Sequence, residues 1–346
     1  MPQPAVSSDT EHSSQPPLKE LGLAWLVTII WASSFVLIKV GLRDIQPLGF
    51  AALRYALGGL ILLGYLGVSP AERMPRLGWR TWGLVALTGV LAYTAGQGLF
   101  YLGQTRVSAL TGSFFYSLSP VFVLFLGAIH LRRRPNRWQM AGLVAVVVGA
   151  LIFYPPHVAV SQRRGVILLL ASNVGTGYYL LLAGRLRSAA RLSGGWLTAV
   201  ALLVGGGLLF VPALLIERQV RLALTTLPLI VWLAIVNTAL AYTLWTHVLR
   251  VLSAFQVSVM GCLIPLQTGV ISWLILGNAL SWTQVVGLLI VVAGVIVVQA
   301  RSAAHNRPAR KHSSSGGSMH SDQRRGRGVA ADPPLEGRQV GEGGCE

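Results

Sequence analysis

The sequence predicts an all-α polytopic membrane protein: ten transmembrane helices arranged as two inverted five-helix repeats. Three observations lead there. Hydrophobic residues make up 53% of the 346 residues and charged ones only 11%, whereas a soluble domain carries about a quarter charged residues. The apolar residues gather in ten runs, each close to the roughly 20 residues a helix needs to cross a hydrocarbon core of about 30 Å. The chain also matches itself at an offset of 145 residues.

In chain order, residues 1–19 form a polar arm with Asp9 and Glu11. It lacks the basic start and apolar core of a secretory signal and reads as a retained, disordered cytoplasmic segment. The first span runs from Leu21 to Leu42 with Lys39 near its end, and the second from Leu48 to Val68 with Arg54 one to two turns inside it. Arg73, Arg76 and Arg80 separate the second span from the third, Trp82 to Gln104, which is diluted by Gly and Thr. The fourth, Val107 to Leu131, has Pro120 half-way along and ends in Arg132, Arg133 and Arg134. Trp138 to Tyr154 is the fifth and closes a first repeat of residues 20–155. The second repeat, residues 163–300, contains Gly165 to Leu186, Gly194 to Ile216, Pro228 to Val248, Ala254 to Leu276 with Pro265 inside it, and Trp282 to Gln299. Residues 301–346 turn to Ser, Gly, Arg and Pro and read as a disordered basic tail.

An even number of spans puts both termini on one side. That side collects twenty Lys and Arg residues against six on the other, and twelve against six without the tail. Cytoplasmic loops carry the excess of positive charge, so both termini are expected in the cytoplasm of a multi-pass protein in the cell membrane, plasma or inner. The same bias accounts for the formal charge of +17, and no nucleic-acid partner is needed to explain it. Cys262 lies in a span and Cys345 next to the last residue, poor positions for a disulfide.

The offset aligns "SALTGSFFYSLSPVFVLFL" at Ser108 with "SAFQVSVMGCLIPLQTGVI" at Ser253. Pro120 meets Pro265, Gln139 meets Gln284, Gly142 meets Gly287, and Gly149 meets Gly294. Prolines and glycines match by chance less readily than aliphatic residues do. Trp31 falls over Thr176, Gln97 over Tyr242, and Phe100 over Trp245. Five spans per repeat is odd, so the second copy enters the membrane from the opposite side. Inverted repeats are common in carriers whose substrate site lies near the midplane between the halves.

With "WASSFVLIKVGL" and "PLGFAALRYALGGLILL" near its start, and in each half an "SA" pair, a mid-helix Pro and a Gln with two later glycines, the chain resembles the EamA transporters of the drug/metabolite transporter superfamily over about residues 20 to 300. The resemblance implies a ten-helix inverted-repeat carrier of small metabolites, often an exporter of amino acids or related compounds. In one respect the chain departs from the family. A Gly-Glu pair usually follows the fourth and ninth helices, and here those places hold Arg133 and Asn278.

All eleven acidic residues lie in tails, loops or span ends, although intramembrane carboxylates are the usual proton carriers. His130 and His247 sit at cytoplasmic helix ends and read as interfacial residues. The expected mode is therefore export, exchange or facilitated diffusion without proton coupling. Lys39 and Arg54 have two readings: long side chains that snorkel to the interface, or cations that attract a substrate carboxylate or phosphate. Pro120 and Pro265 each remove a backbone bond and free the carbonyl four residues earlier, those of Tyr116 and Gly261, with Ser113 and Ser117 in reach; a kink with a gating role is expected. Polar and aromatic residues at mid-span give the remaining cavity candidates: Trp31, Ser34, Tyr93, Gln97, Tyr101, Tyr116, Ser117, Asn173, Tyr178, Asn237, Tyr242, Trp245, Gln256 and Gln267.

The spans hold no nucleophile with a base, no paired carboxylates and no grouped histidines, which argues against an enzyme, a metal site or a cofactor. No phosphate-binding loop is present either. The expected partners are a small-molecule substrate, amino-acid-like, zwitterionic or amphipathic, and membrane lipids. A lipid flippase or scramblase, or a non-transporting membrane scaffold, is the competing reading. Monomer and homodimer are both open.

Overall fold

In hydrocarbon every backbone N–H and C=O must find its partner within the segment or a closed barrel, and aliphatic runs of this length satisfy that as helices. The computed structural model describes residues 18–69, 75–131, 136–154, 160–189, 192–218, 224–252 and 254–305, and among them there is no strand. The helical rods are α1 (Leu18–Gly41), α2 (Pro47–Val68), α3 (Trp79–Gln104), α4 (Ala109–Tyr116 and Ser119–Leu131), α5 (Arg137–Phe153), α6 (Val160–Ala189), α7 (Gly194–Glu217), α8 (Leu224–Val251), α9 (Ala254–Cys262 and Ile264–Leu276) and α10 (Trp282–His305). Eight are long and apolar enough to cross a membrane, while Arg137–Phe153 and the apolar part of α10, Trp282–Val297, are shorter. Residues 1–17, residues 306–346 and Arg133 lie outside the described residues, and with them most of the predicted arm and tail.

Local sequence explains where the rods begin and break. Asn136 caps α5 in a reciprocal pair, its Oδ1 accepting from Gln139 N at 2.9 Å while Gln139 Oε1 accepts from Asn136 N at 3.0 Å. Ser108 and Ser193 cap α4 and α7 by accepting from Thr111 N and Trp196 N. α4 breaks at Ser117 and Leu118, and α9 breaks at Leu263, so that Pro120 and Pro265 each open a new helical piece, where a missing N–H costs nothing. Two further irregularities carry no sequence signal. Val90–Gln97 of α3 and Ile235–Leu240 of α8 are π-helical, and they begin 145 residues apart.

Helices related by the repeat pack closely. α5 and α10 cross through glycines: a Cβ on Gly149 would lie 2.7 Å from Gly287 O, and one on Gly294 would lie 2.7 Å from Gly142 O. Only a residue without Cβ permits this approach. The pairing is reciprocal and runs in opposite directions along the two helices. α2 packs on α7, α1 on α8 and α9, and α6 on α3 and α4, a pattern unchanged when the two halves are exchanged. Outward faces carry exposed apolar residues such as Leu60, Phe125, Val144, Leu215 and Trp273, as a lipid-facing surface requires.

Candidate substrate cavity

A cavity of about 470 Å³ lies between the two halves, within the range typical of small-molecule sites. Its walls come from α1, α2, α3, α4, α6, α7, α8 and α9. The π segments position part of it: Ala92, Tyr93 and Gln97 from α3, and Asn237 from α8, line it, with Tyr242 just beyond. The breaks supply more of the wall, through Tyr116, Ser117, Ser119 and Pro120 on α4 and Gly261, Cys262 and Ile264 on α9. Both irregularities interrupt the regular α-helical register along the cavity wall.

The lining is aromatic with a few polar groups. Trp31 meets Tyr242 and Trp245 edge-on at 5.7 and 4.9 Å, and Phe35, Phe100 and Tyr116 form a second edge-to-face cluster. The Tyr55 hydroxyl donates to Gln97 Oε1 at 2.9 Å, and that of Tyr93 donates to the Tyr242 hydroxyl at 3.3 Å. Arg54 is 4% exposed. Its Nε donates to Thr238 Oγ1 at 3.1 Å, Nη1 to the Tyr101 hydroxyl at 3.1 Å and Nη2 to Ser34 Oγ at 3.2 Å. The guanidinium is therefore held by α1, α3 and α8 and does not snorkel; the three polar partners make the interior accept it. Lys39 takes another path. Its Nζ donates to Gln104 O at 2.9 Å and Thr105 O at 3.2 Å, closing the negative C-terminal end of α3.

Of the residues singled out in the sequence, Trp31, Ser34, Arg54, Tyr93, Gln97, Tyr116, Ser117, Asn237, Tyr242, Trp245 and Pro120 line the cavity. Lys39, Tyr101, Asn173, Tyr178, Gln256, Gln267 and Pro265 do not appear in its lining. Tyr101 and Asn173 are fully buried behind it. Asn173 Nδ2 donates to Phe115 O at 2.9 Å and its Oδ1 accepts from Ser119 Oγ at 2.6 Å, so it braces the break in α4. Gln267 donates to Thr28 Oγ1 at 3.1 Å, tying α9 to α1. The Tyr178 ring packs edge-on against His130, and its neighbour Tyr179 lines the cavity instead. The carbonyl freed by Pro120 is met by neither Ser113 nor Ser117, which bond Leu110 O and Phe114 O. Ser119 Oγ lies 2.5 Å from Tyr116 O as well as 2.6 Å from Asn173 Oδ1, so its single proton is shared between the freed carbonyl and the amide oxygen. Asn278 lies exposed after Gly277, whose φ of 71° ends α9.

Some lining residues that the sequence reading missed are repeat partners of ones it found, and others pair with each other across the repeat. Thr176 is the partner of Trp31, Tyr179 of Ser34, Leu180 of Phe35, and Ala183 of Ile38, and all eight line the cavity. Tyr55 and Arg187 carry no such signal. The two ends differ. Gly184, Arg187, Gly194, Thr246 and Leu249 continue the lining to one end, where Arg187 is exposed. Their partners at the other end are Lys39, Leu42, Gly49, Tyr101 and Gln104, none of which lines the cavity. There Tyr101 and Gln104 are 0% exposed, Phe50 stands edge-on to Tyr101, and the Glu217 carboxylate accepts from Leu48 N and Gly49 N at 2.6 and 2.9 Å.

Comparison with known proteins agrees with this architecture. A crystal structure 15% identical superposes with a TM-score of 0.61, covering 82% of this chain and 98% of that one. A probable amino-acid metabolite efflux pump of Salmonella typhimurium is 25% identical over 292 residues, spanning 80% of this chain and 93% of that protein. A probable terminal-alkyne amino-acid exporter of Streptantibioticus cattleyicolor is 26% identical, spanning 82% and 94%. An S-adenosylmethionine/S-adenosylhomocysteine transporter of Chlamydia trachomatis is 27% identical, spanning 82% and 88%. A model of the EamA-like transporter family matches residues 18–154 and again residues 163–299. With that pattern present in both halves, the chain belongs to the EamA-like transporter family.

Proposed function

We propose that this multi-pass transporter moves small metabolites, amino acids or related zwitterionic and amphipathic compounds, by alternating access between two inverted five-helix repeats with ten spans in all. The observation that carries the reading is the cavity itself: repeat partners line its middle, while at its ends one set of partners is open and the other closed. Exchanging the two sets closes the open end and opens the closed one at little cost in new structure. The reciprocal, oppositely directed glycine contacts of α5 and α10 support the inversion. By the distribution of Lys and Arg, both termini face the cytoplasm of the cell membrane, and so does the open end beside Arg187.

The amino-acid and sulfonium-metabolite names of the relatives support a substrate of this size and polarity. Among the described residues no acid lines the cavity, which supports export, exchange or facilitated diffusion without proton coupling. Reconstitution into liposomes with labelled amino acids, nucleosides, sugars and lipids, with and without a pH gradient, tests the reading. Saturable movement of one solute class, indifferent to the gradient, is expected. Lipid scrambling without solute movement would replace the carrier by a flippase, and stimulation by the gradient would refute uncoupled transport.

A further inference from the structure

The cavity carries positive charge at both ends and no negative charge to balance it. Arg54 closes it off, 4% exposed, and Arg187 stands at its open end. Among the described residues the acids are Glu20, Asp44 and Glu217. None of them lines the cavity, and the Glu217 carboxylate is occupied by the N-terminus of α2. A guanidinium taken out of water loses hydration that neutral partners restore only in part. The partners of Arg54 are hydroxyls, together with the face of Tyr55 at 5.1 Å from Cζ. Three of its five N–H donors are thereby used, and one on each Nη remains.

Two N–H groups at the end of a guanidinium match the two oxygens of one carboxylate. Phosphate, with more acceptor oxygens and greater charge, would need further donors. We propose that Arg54 is an anion subsite for a single substrate carboxylate, with the aromatic wall of Trp31, Phe100, Tyr116 and Tyr242 taking an apolar or aromatic body. The inference rests on the carrier reading for the identity of its ligand as the transported solute. Arg54 is fixed by α1, α3 and α8 before any ligand arrives, so the site is preorganised. Arg187 at the entrance raises the local concentration of anions. Because no described acid meets an ammonium, an amino group is tolerated and not recognised.

Binding to the purified full-length protein at neutral pH tests this with four probes of one shape: 3-phenylpropionate, L-phenylalanine, 3-phenylpropionamide and phenethylamine. The expected order of affinity is the carboxylate first, the zwitterion next and the cation last, with the carboxylate ahead of its amide by about tenfold or more. Arg54→Gln removes the gap between carboxylate and amide, and Arg54→Lys keeps part of it. The wild-type order alone is decisive should Arg54→Gln fail to fold. Equal affinity for acid and amide, preference for the amine, or no binding of any probe overturns the anion subsite. Solute transport measured alongside separates the two ideas: transport without carboxylate preference sinks the subsite alone, and carboxylate binding without transport of any solute sinks the carrier alone.

Discussion

Lys39 holds the closed end of the cavity, and removing its charge should loosen that end by a calculable amount. Its Nζ bonds Gln104 O at 2.9 Å in a half-buried position and Thr105 O at 3.2 Å in an exposed one. A hydrogen bond to a charged group contributes about 1.5–3 kcal/mol when shielded, and an exposed ionic contact about 0–1 kcal/mol. Part of this is recovered when water reaches the carbonyls, leaving a net of about 1–2 kcal/mol. Under the proposed alternating access both bonds break when this end opens. Lys39→Met, which keeps the apolar stem, should therefore raise the population open at this end roughly 5- to 30-fold, at a factor of ten per 1.4 kcal/mol. Cys262, a native free thiol that lines the cavity, reports it. With Cys345 replaced by Ser, the labelling of Cys262 by a membrane-impermeant thiol reagent from the Lys39 side should accelerate by that factor. A folded Lys39→Met protein with an unchanged labelling rate would refute the reasoning.

Other perturbations have defined outcomes. In Gly287→Ala the new Cβ would lie 2.5 Å from Phe153 N and 2.7 Å from Gly149 O, backbone atoms that cannot turn aside; the thermal midpoint in detergent should fall, at a cost of about 1–3 kcal/mol. Gly64→Ala, with nothing within 4 Å of its Cβ, should leave the midpoint unchanged. Glu217→Gln weakens the carboxylate bonds to the first turn of α2, for a loss of about 1–2 kcal/mol in the same assay. Asn173→Leu removes the brace across the break in α4 and leaves Phe115 O without that donor; slower transport at an unchanged expression level is expected, and a wild-type rate would remove the break from the transport cycle.

Much of the molecule was legible in the sequence for physical reasons that differ by feature. Rod positions follow from apolar length, yet α6 runs from Val160 to Ala189, beyond the predicted Gly165 to Leu186, because apolar length measures the stretch and not where the backbone stops bonding. The breaks in α4 and α9 were announced by proline, whereas the π segments of α3 and α8 have no residue signature at all. Tyr178 and Tyr179 show how finely facing is set: successive helical residues turn by about 100°, so choosing the wrong tyrosine of an adjacent pair moves it from the cavity to the flank of α4. The repeat offset from Ser34 would have selected Tyr179. For Arg54 the sequence left two readings open, snorkelling to the interface or meeting a substrate anion, since nothing in its own segment reveals that Tyr101 and Thr238, far away in sequence, supply its partners. Tyr55 was missed because its hydroxyl acquires meaning only beside Gln97.

Alternating access between repeat-related ends is tested most directly by paired spin-label distances. Arg43 and Arg106 flank the closed end, and their repeat partners Ser188 and Val251 flank the open end; all four are exposed, so labels there leave the interior untouched. Measured by double electron–electron resonance, the Arg43–Arg106 pair should be the shorter in the resting protein, and conditions that trap the opposite state should lengthen it while the Ser188–Val251 distance contracts. Two distances that stay fixed, or that widen together, would contradict it.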